Sequence, residues 1–236
     1  MIKVENLTKK YQGVEVLNIS ELSIPKGQSF GLVGNNGAGK TTFFSLLLDL
    51  IRPTTGQIHS KGVRIDASED WKPFTSAFLD ESFLIGYLTP EEYFVFIGKL
   101  RGQSKSEVIE FIAKFEGFFN DEILGKRKFL RDLSKGNQKK VGLIGALIGN
   151  PEVVILDEPF ANLDPSTQIR LKQLIKSETQ NTHTTFLISS HDLTHVTEVC
   201  DRIVVLEKGQ VINDLQTSTE TLKELEKYFS ESRKDP

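Results

Sequence analysis

Gly34-Asn35-Asn36-Gly37-Ala38-Gly39-Lys40-Thr41-Thr42 is the stretch whose reading decides the fold. It satisfies the pattern G-x-x-x-x-G-K-[ST] at every position. An apolar, strand-like run, Phe30-Gly31-Leu32-Val33, leads into it, and apolar residues at helical spacing follow it (Phe43, Phe44, Leu46, Leu47, Leu48, Leu50, Ile51). Gly34, Gly37 and Gly39 permit the tight turns that bring successive backbone N–H groups into one concavity. A phosphate there would meet a helix N-terminus, whose free N–H groups and dipole favour an anion. Lys40 adds a positive charge for the outer phosphates, and the Thr41 hydroxyl suits Mg²⁺. The competing reading is a glycine-rich turn that binds nothing; the flanking strand and helix count against it.

Outward from this loop, residues 2–7 alternate apolar and polar, as a half-buried strand does, and residues 14–24 repeat the habit. Pro25-Lys26-Gly27 closes that strand with a turn, and Arg52-Pro53-Thr54-Thr55-Gly56 ends the first helix. Residues 57–65 read as strand, turn and strand around Lys61-Gly62. The character then changes: residues 91–100, 105–119 and 138–149 all favour helix, which predicts a helical insertion in an α/β core. Val153-Val154-Ile155-Leu156 is short, apolar and rich in β-branched residues, as a central parallel strand is. Residues 165–178 read as helix and 184–189 as another buried strand. Residues 203–212 read as a hairpin, and the charged tail from Ser218 as helix.

Composition places the chain among ordinary globular proteins: 236 residues, 38% hydrophobic, 26% charged, net charge −3. No basic domain or stripe of the kind that marks a nucleic-acid partner is present; Lys126-Arg127-Lys128 with Arg131 is short and reads as a solvated face. Cys200 is the single cysteine, so no internal disulfide forms, and it reads as a small buried apolar group. The first residues lack the apolar core of a signal peptide. No stretch reaches the about 18 apolar residues that span a bilayer, so any membrane spans are expected from another chain.

Two further motifs carry chemistry. Asp157 and Glu158 follow the apolar run at its C-terminal end, the edge where open α/β sheets gather ligands. Asp157 is placed to hold Mg²⁺ and Glu158 to act on water as general base or orienter. Leu133-Ser134-Lys135-Gly136-Asn137-Gln138 precedes a helical stretch and offers a second helix N-terminus to an anion; alone, Ser134 there is only an N-cap.

In this order, and over nearly the whole chain, these motifs resemble the nucleotide-binding subunit of a bacterial ATP-binding cassette (ABC) transporter, with a lean toward export. The resemblance implies a P-loop NTPase core, a mixed sheet flanked by helices. To that core belong an antiparallel β subdomain and an inserted α-helical subdomain. One domain is expected over 1–236: core and β subdomain over 1–80 and 150–217, helical subdomain over 81–149, C-terminal helix over 218–236. Residues 34–42 (Gly34, Asn35, Asn36, Gly37, Ala38, Gly39, Lys40, Thr41 and Thr42) match Walker A, and 153–157 match Walker B. Residues 133–137 match the signature loop, 161–164 the D-loop, and Ser189-Ser190-His191 the switch-histidine loop. Tyr11 is the expected adenine-stacking aromatic, and Glu158, His191 and Lys40 are the expected catalytic groups.

Thr41, Asp157 and Asp80 are the expected Mg²⁺ ligands. Asp80 aligns with a position the family fills with glutamine, and Glu81, one residue on, is the alternative. Lys135 and Asn137 also depart from the family's usual Gly and Gln, whereas Ser134 and Gly136 are kept. The implied ligands are ATP and Mg²⁺. The implied partners are an integral membrane permease and a second cassette, as homodimer or mixed pair, in which Ser134 and Gly136 of one copy face the phosphates held by the other. No nucleic-acid partner is implied, and the implied place is the cytoplasmic face of the cell membrane. Phe83 and Tyr87 are expected in the groove that receives the permease. The competing function is a soluble cassette ATPase acting on a partner outside the membrane. His59, His183 and His195 match no motif and read as surface or packing residues.

Overall fold

The computed structural model describes residues 1–231. Its strands in chain order are β1 (Ile2–Tyr11), β2 (Val14–Ile24), β3 (Ser29–Val33), β4 (Thr55–Ser60), β5 (Val63–Arg64), β6 (Thr75–Phe78), β7 (Val153–Leu156), β8 (Thr185–Ser190), β9 (Arg202–Glu207) and β10 (Gln210–Gln216). The helices are α1 (Lys40–Leu47), α2 (Pro90–Leu100), α3 (Lys105–Ala113), α4 (Glu116–Phe119), α5 (Lys135–Gly145), α6 (Pro165–Thr182), α7 (Leu193–Val199) and α8 (Thr221–Glu231). Among the described residues the strands form two sheets. One is antiparallel, in the order β2-β1-β4-β5; the other runs β10-β9-β3-β8-β7-β6. In the second sheet β9, β3, β8, β7 and β6 are parallel, and β10 closes the edge antiparallel to β9.

The period of two along the parallel strands explains the layering. Val154 and Leu156, with Phe186, Ile188, Ile203 and Val205, face one core, shared with α5, α6 and α7. Val153 and Ile155, with Leu187, Val204 and Leu206, face the other, shared with the antiparallel sheet and with Phe43 and Phe44 of α1. The sheet is therefore covered on both faces, and the mixed α/β architecture expected from the sequence is present. Of the helices between β6 and β7, α2 and α3 begin with capping boxes, Thr89 with Glu92 and Ser104 with Glu107.

Several boundaries differ from the sequence reading. The first helix ends at Leu47, not near Ile51, because Asp49 turns left-handed (φ 53°) and the Leu50 N–H bonds back to Ser45. The helix expected over 105–119 breaks at Lys114 and Phe115, where bonds to residues three back tighten the chain. The helix expected from Gln138 starts at Lys135, directly after its N-cap Ser134, and ends at Gly145. That puts Gly136 inside the first turn and not ahead of it. The edge strand β6 and the short α7 have no counterpart in the periodicity; Thr75-Ser76-Ala77-Phe78 carries one large apolar residue and is ordered by its parallel pairing with β7. Within the expected C-terminal helix, α8 begins at Thr221, and residues 232–236 lie outside the described residues.

Candidate active site

The phosphate loop joins β3 to α1 and is strapped to the β9–β10 turn. The Ala38 N–H bonds to Asn35 O, and the Gly209 N–H bonds to Ala38 O. Gly34 has to be glycine on steric grounds: a Cβ there would stand 2.3 Å from the backbone oxygen of Leu206. Gly39 caps α1 at φ 107°, which only glycine adopts without strain. Lys40 is buried, and its ammonium donates to Gly34 O at 2.7 Å and approaches Asn35 O at 3.4 Å.

The acidic end of the site comes from β7 and β8, which lie side by side. The Thr41 hydroxyl donates to Asp157 Oδ2 at 2.6 Å. The Ser189 hydroxyl at the end of β8 donates to Asp157 Oδ1 and accepts the Glu158 N–H at 2.9 Å. Glu158 has a left-handed backbone, φ 47°. Its carboxylate lies 3.7 Å from Lys40 Nζ and 2.9 Å from His191 Nδ1. A carboxylate only accepts, so the imidazole N–H donates.

A cleft of about 310 Å³ runs from Tyr11 past residues 36–42 to Asp157 and Glu158. Tyr11, half exposed, forms its far wall with Val16. Gly34 and Asn35 lie at the base and offer their carbonyls to Lys40. A second cleft on the other side of Thr41 and Asp157 is lined by Asp80, Glu81, Lys139 and Asn162. Asp80 thus opens toward the same acids, but its Oδ1 accepts the Ser82 N–H at 2.6 Å and caps the turn at 81–83. Those bonds, with Lys135 and Lys139 nearby, hold its carboxyl below the usual range. Ser134 and Gly136 line neither cleft. Ser134 caps α5 by accepting the Asn137 N–H, and Gly136 lies against the Asn162 carbonyl.

The residues present fit the groups the pattern calls for. A loop closed to side chains and opening onto a helix N-terminus suits phosphate. A hydroxyl and a carboxylate already side by side are the hard oxygen donors that Mg²⁺ takes. Lys139 escapes the sequence reading of the site, where it is only a lysine among helix residues that prove buried. Ser189 is read there as part of the switch-histidine loop, but its bonds to Asp157 and to the Glu158 N–H are not foreseen. Cys200 is buried, and burial pushes its thiol up. His195 packs against the Phe160 ring, tilted by 36° with the centroids 4.7 Å apart.

Fold and site together define a P-loop nucleotide-binding cassette. The ABC transporter family model matches residues 17–161. The ABC transporter ATP-binding protein YhaQ of Bacillus subtilis (strain 168) is 34% identical over 212 residues, covering 90% of this chain and 70% of that protein. The solved structure of an ATP binding subunit of an ABC transporter superposes with TM-score 0.86 at 25% identity, covering 99% of this chain and 100% of the other. The dimeric, post-hydrolysis state of the ATP-binding cassette MJ0796 bound to ADP and Pi shares the fold: TM-score 0.82, 23% identity, 92% of this chain and 99% of that one. The chain belongs to the ABC transporter family, among its ATP-binding subunits.

Proposed function

We propose that this subunit binds and hydrolyses ATP and energises a separate membrane permease through nucleotide-dependent pairing of two cassettes. One observation carries the hydrolytic part: the Glu158 carboxylate stands between Lys40 and His191, one residue beyond the Asp157 that bonds Thr41. The loop N–H groups and Lys40 bind the phosphates, and Tyr11 packs against the base at the far end of the cleft. Glu158 accepts a proton from, or orients, the attacking water, and His191 holds that carboxylate in place. Thr41 and Asp157, with Asp80 at the neighbouring cleft, would hold Mg²⁺, which supplies charge neutralisation on the phosphates.

Ser134 and Gly136 serve a second copy's nucleotide in this reading. Its support is that they lie outside their own chain's clefts, at the N-terminus of a capped helix. Phe83 and Tyr87 are 60% and 70% exposed and offer an apolar contact for the permease at the cytoplasmic face. Among the described residues no helix is long and apolar enough to cross a membrane.

Glu158→Gln is the test. It should lower ATP turnover by about 10²-fold or more while keeping ATP binding, and accumulate an ATP-bound dimer on gel filtration. Full turnover in that variant would remove Glu158 from the chemistry. For the partner, replacing Phe83 and Tyr87 together by Ala should abolish co-purification with the permease; undiminished recovery would place the contact elsewhere.

A further inference from the structure

Lys139, on the second turn of α5, is 5% exposed. Its ammonium donates to the Glu158 carbonyl oxygen at 2.9 Å and stands 3.7 Å from Glu81 Oε1. A buried lysine is expensive unless its partners are well placed. Here they come from two segments far apart in the chain, the turn after β6 and the residue after Asp157. Glu158 occupies the left-handed region, where a non-glycine residue sits at some cost and is held by its surroundings. Its peptide groups are gripped from both sides: Ser189 accepts its N–H and Lys139 donates to its C=O.

The platform carrying Lys139 is itself fixed. Gly142, one turn further along α5, lies so close to Phe78 of β6 that a Cβ there would stand 2.0 Å from the ring. The lysine therefore projects from a helix locked onto the strand that leads into Asp80 and Glu81.

We propose that Lys139 is a positioning residue for hydrolysis: by holding the Glu158 carbonyl and the 80–81 turn to α5, it sets the left-handed backbone that aims the Glu158 carboxylate between Lys40 and His191. The proposal rests on the reading of Glu158 as the group that handles the attacking water. A buried ion pair that only contributes stability would leave the aim of Glu158 unchanged.

Lys139→Met keeps the apolar stem and removes the donor. It should lower kcat by about ten- to a hundred-fold, the scale of a misaimed reacting group, with KM for ATP within about twofold. In the nucleotide-free protein, hydrogen exchange should quicken at residues 158–161 and 80–83 while β7 stays protected. Lys139→Arg keeps a charged donor and should recover part of the lost kcat. Wild-type kcat in Lys139→Met, beside an inactive Glu158→Gln, overturns the proposal. So does exchange that rises equally through β7 and β8, because that marks general loosening. Full activity in Glu158→Gln would overturn the underlying assignment instead.

Discussion

Replacing Ser189 by Ala removes a single oxygen from a residue with no exposed surface. No sizeable cavity follows, so the cost is one of hydrogen bonding. The hydroxyl satisfies two groups at once, Asp157 Oδ1 and the Glu158 N–H. Each is left without that partner, at about 1–3 kcal/mol per orphaned group. Asp157 keeps the Thr41 bond to its other oxygen, which favours the lower half of the range. The sum is about 2–5 kcal/mol, a large part of the roughly 5–15 kcal/mol that holds a domain folded. For a chain of this size it corresponds to a fall in Tm of roughly 4–20 °C. Scanning calorimetry of the nucleotide-free protein reads the stability, and steady-state ATP turnover reads the aim of the two acids. An unpaired buried hydroxyl would behave in the opposite sense, since its removal relieves a desolvation cost. Ser189→Ala with an unchanged or raised Tm and full turnover would therefore refute the shared-bond reasoning.

Two further perturbations test the packing and the electrostatics. Gly142→Ala gains about 1 kcal/mol of helix propensity but drives a methyl into the buried Phe78 ring. Overpacking of that kind costs about 1–3 kcal/mol, and a 2.0 Å approach to a buried ring puts it at the upper end, above the propensity gain. Tm should fall and should recover when Phe78→Leu is added, whereas a stabilised single variant would show the ring free to move. Asp164 caps α6 by accepting the Thr167 N–H at 2.9 Å, and Ser166 and Thr167 hold its carboxyl well below the usual range. Asp164→Ala should cost about 1 kcal/mol at neutral pH. A depressed folded-state pKa means that the ionised form's extra stability is complete above the unfolded value, about pH 4. That increment is lost as pH falls through the folded value. The gap between wild type and Asp164→Ala, measured by denaturant titration at several pH values, should accordingly narrow in acid; a constant gap would show that the charge contributes nothing.

Much of the architecture is legible because it rests on local patterns. The run 153–156 is apolar at every position, and a strand covered on both faces has to be. The loop at 34–42 is legible for a different reason: its glycines answer backbone demands, one of them a contact with Leu206 that admits no Cβ. The segments that local pattern leaves unplaced or wrongly bounded are those whose conformation depends on something distant. β6 is a strand because β7 offers it a partner, and α1 stops early although leucines continue its pattern.

The same division holds at the site. By itself the sequence determined the phosphate loop and the Asp157-Glu158 pair, because one strand and one turn suffice to place them. Tertiary structure alone decided that Ser189 closes onto Asp157, that His191 reaches Glu158, and that Lys139 holds the Glu158 carbonyl from α5. Those bonds join residues 19 to 33 positions apart. They exist because parallel neighbours β7 and β8 end side by side and because α5 packs tightly enough on β6 to bury a lysine beside them. No periodicity in a single chain encodes such a meeting; it follows from which strands pair and how closely a helix can approach them.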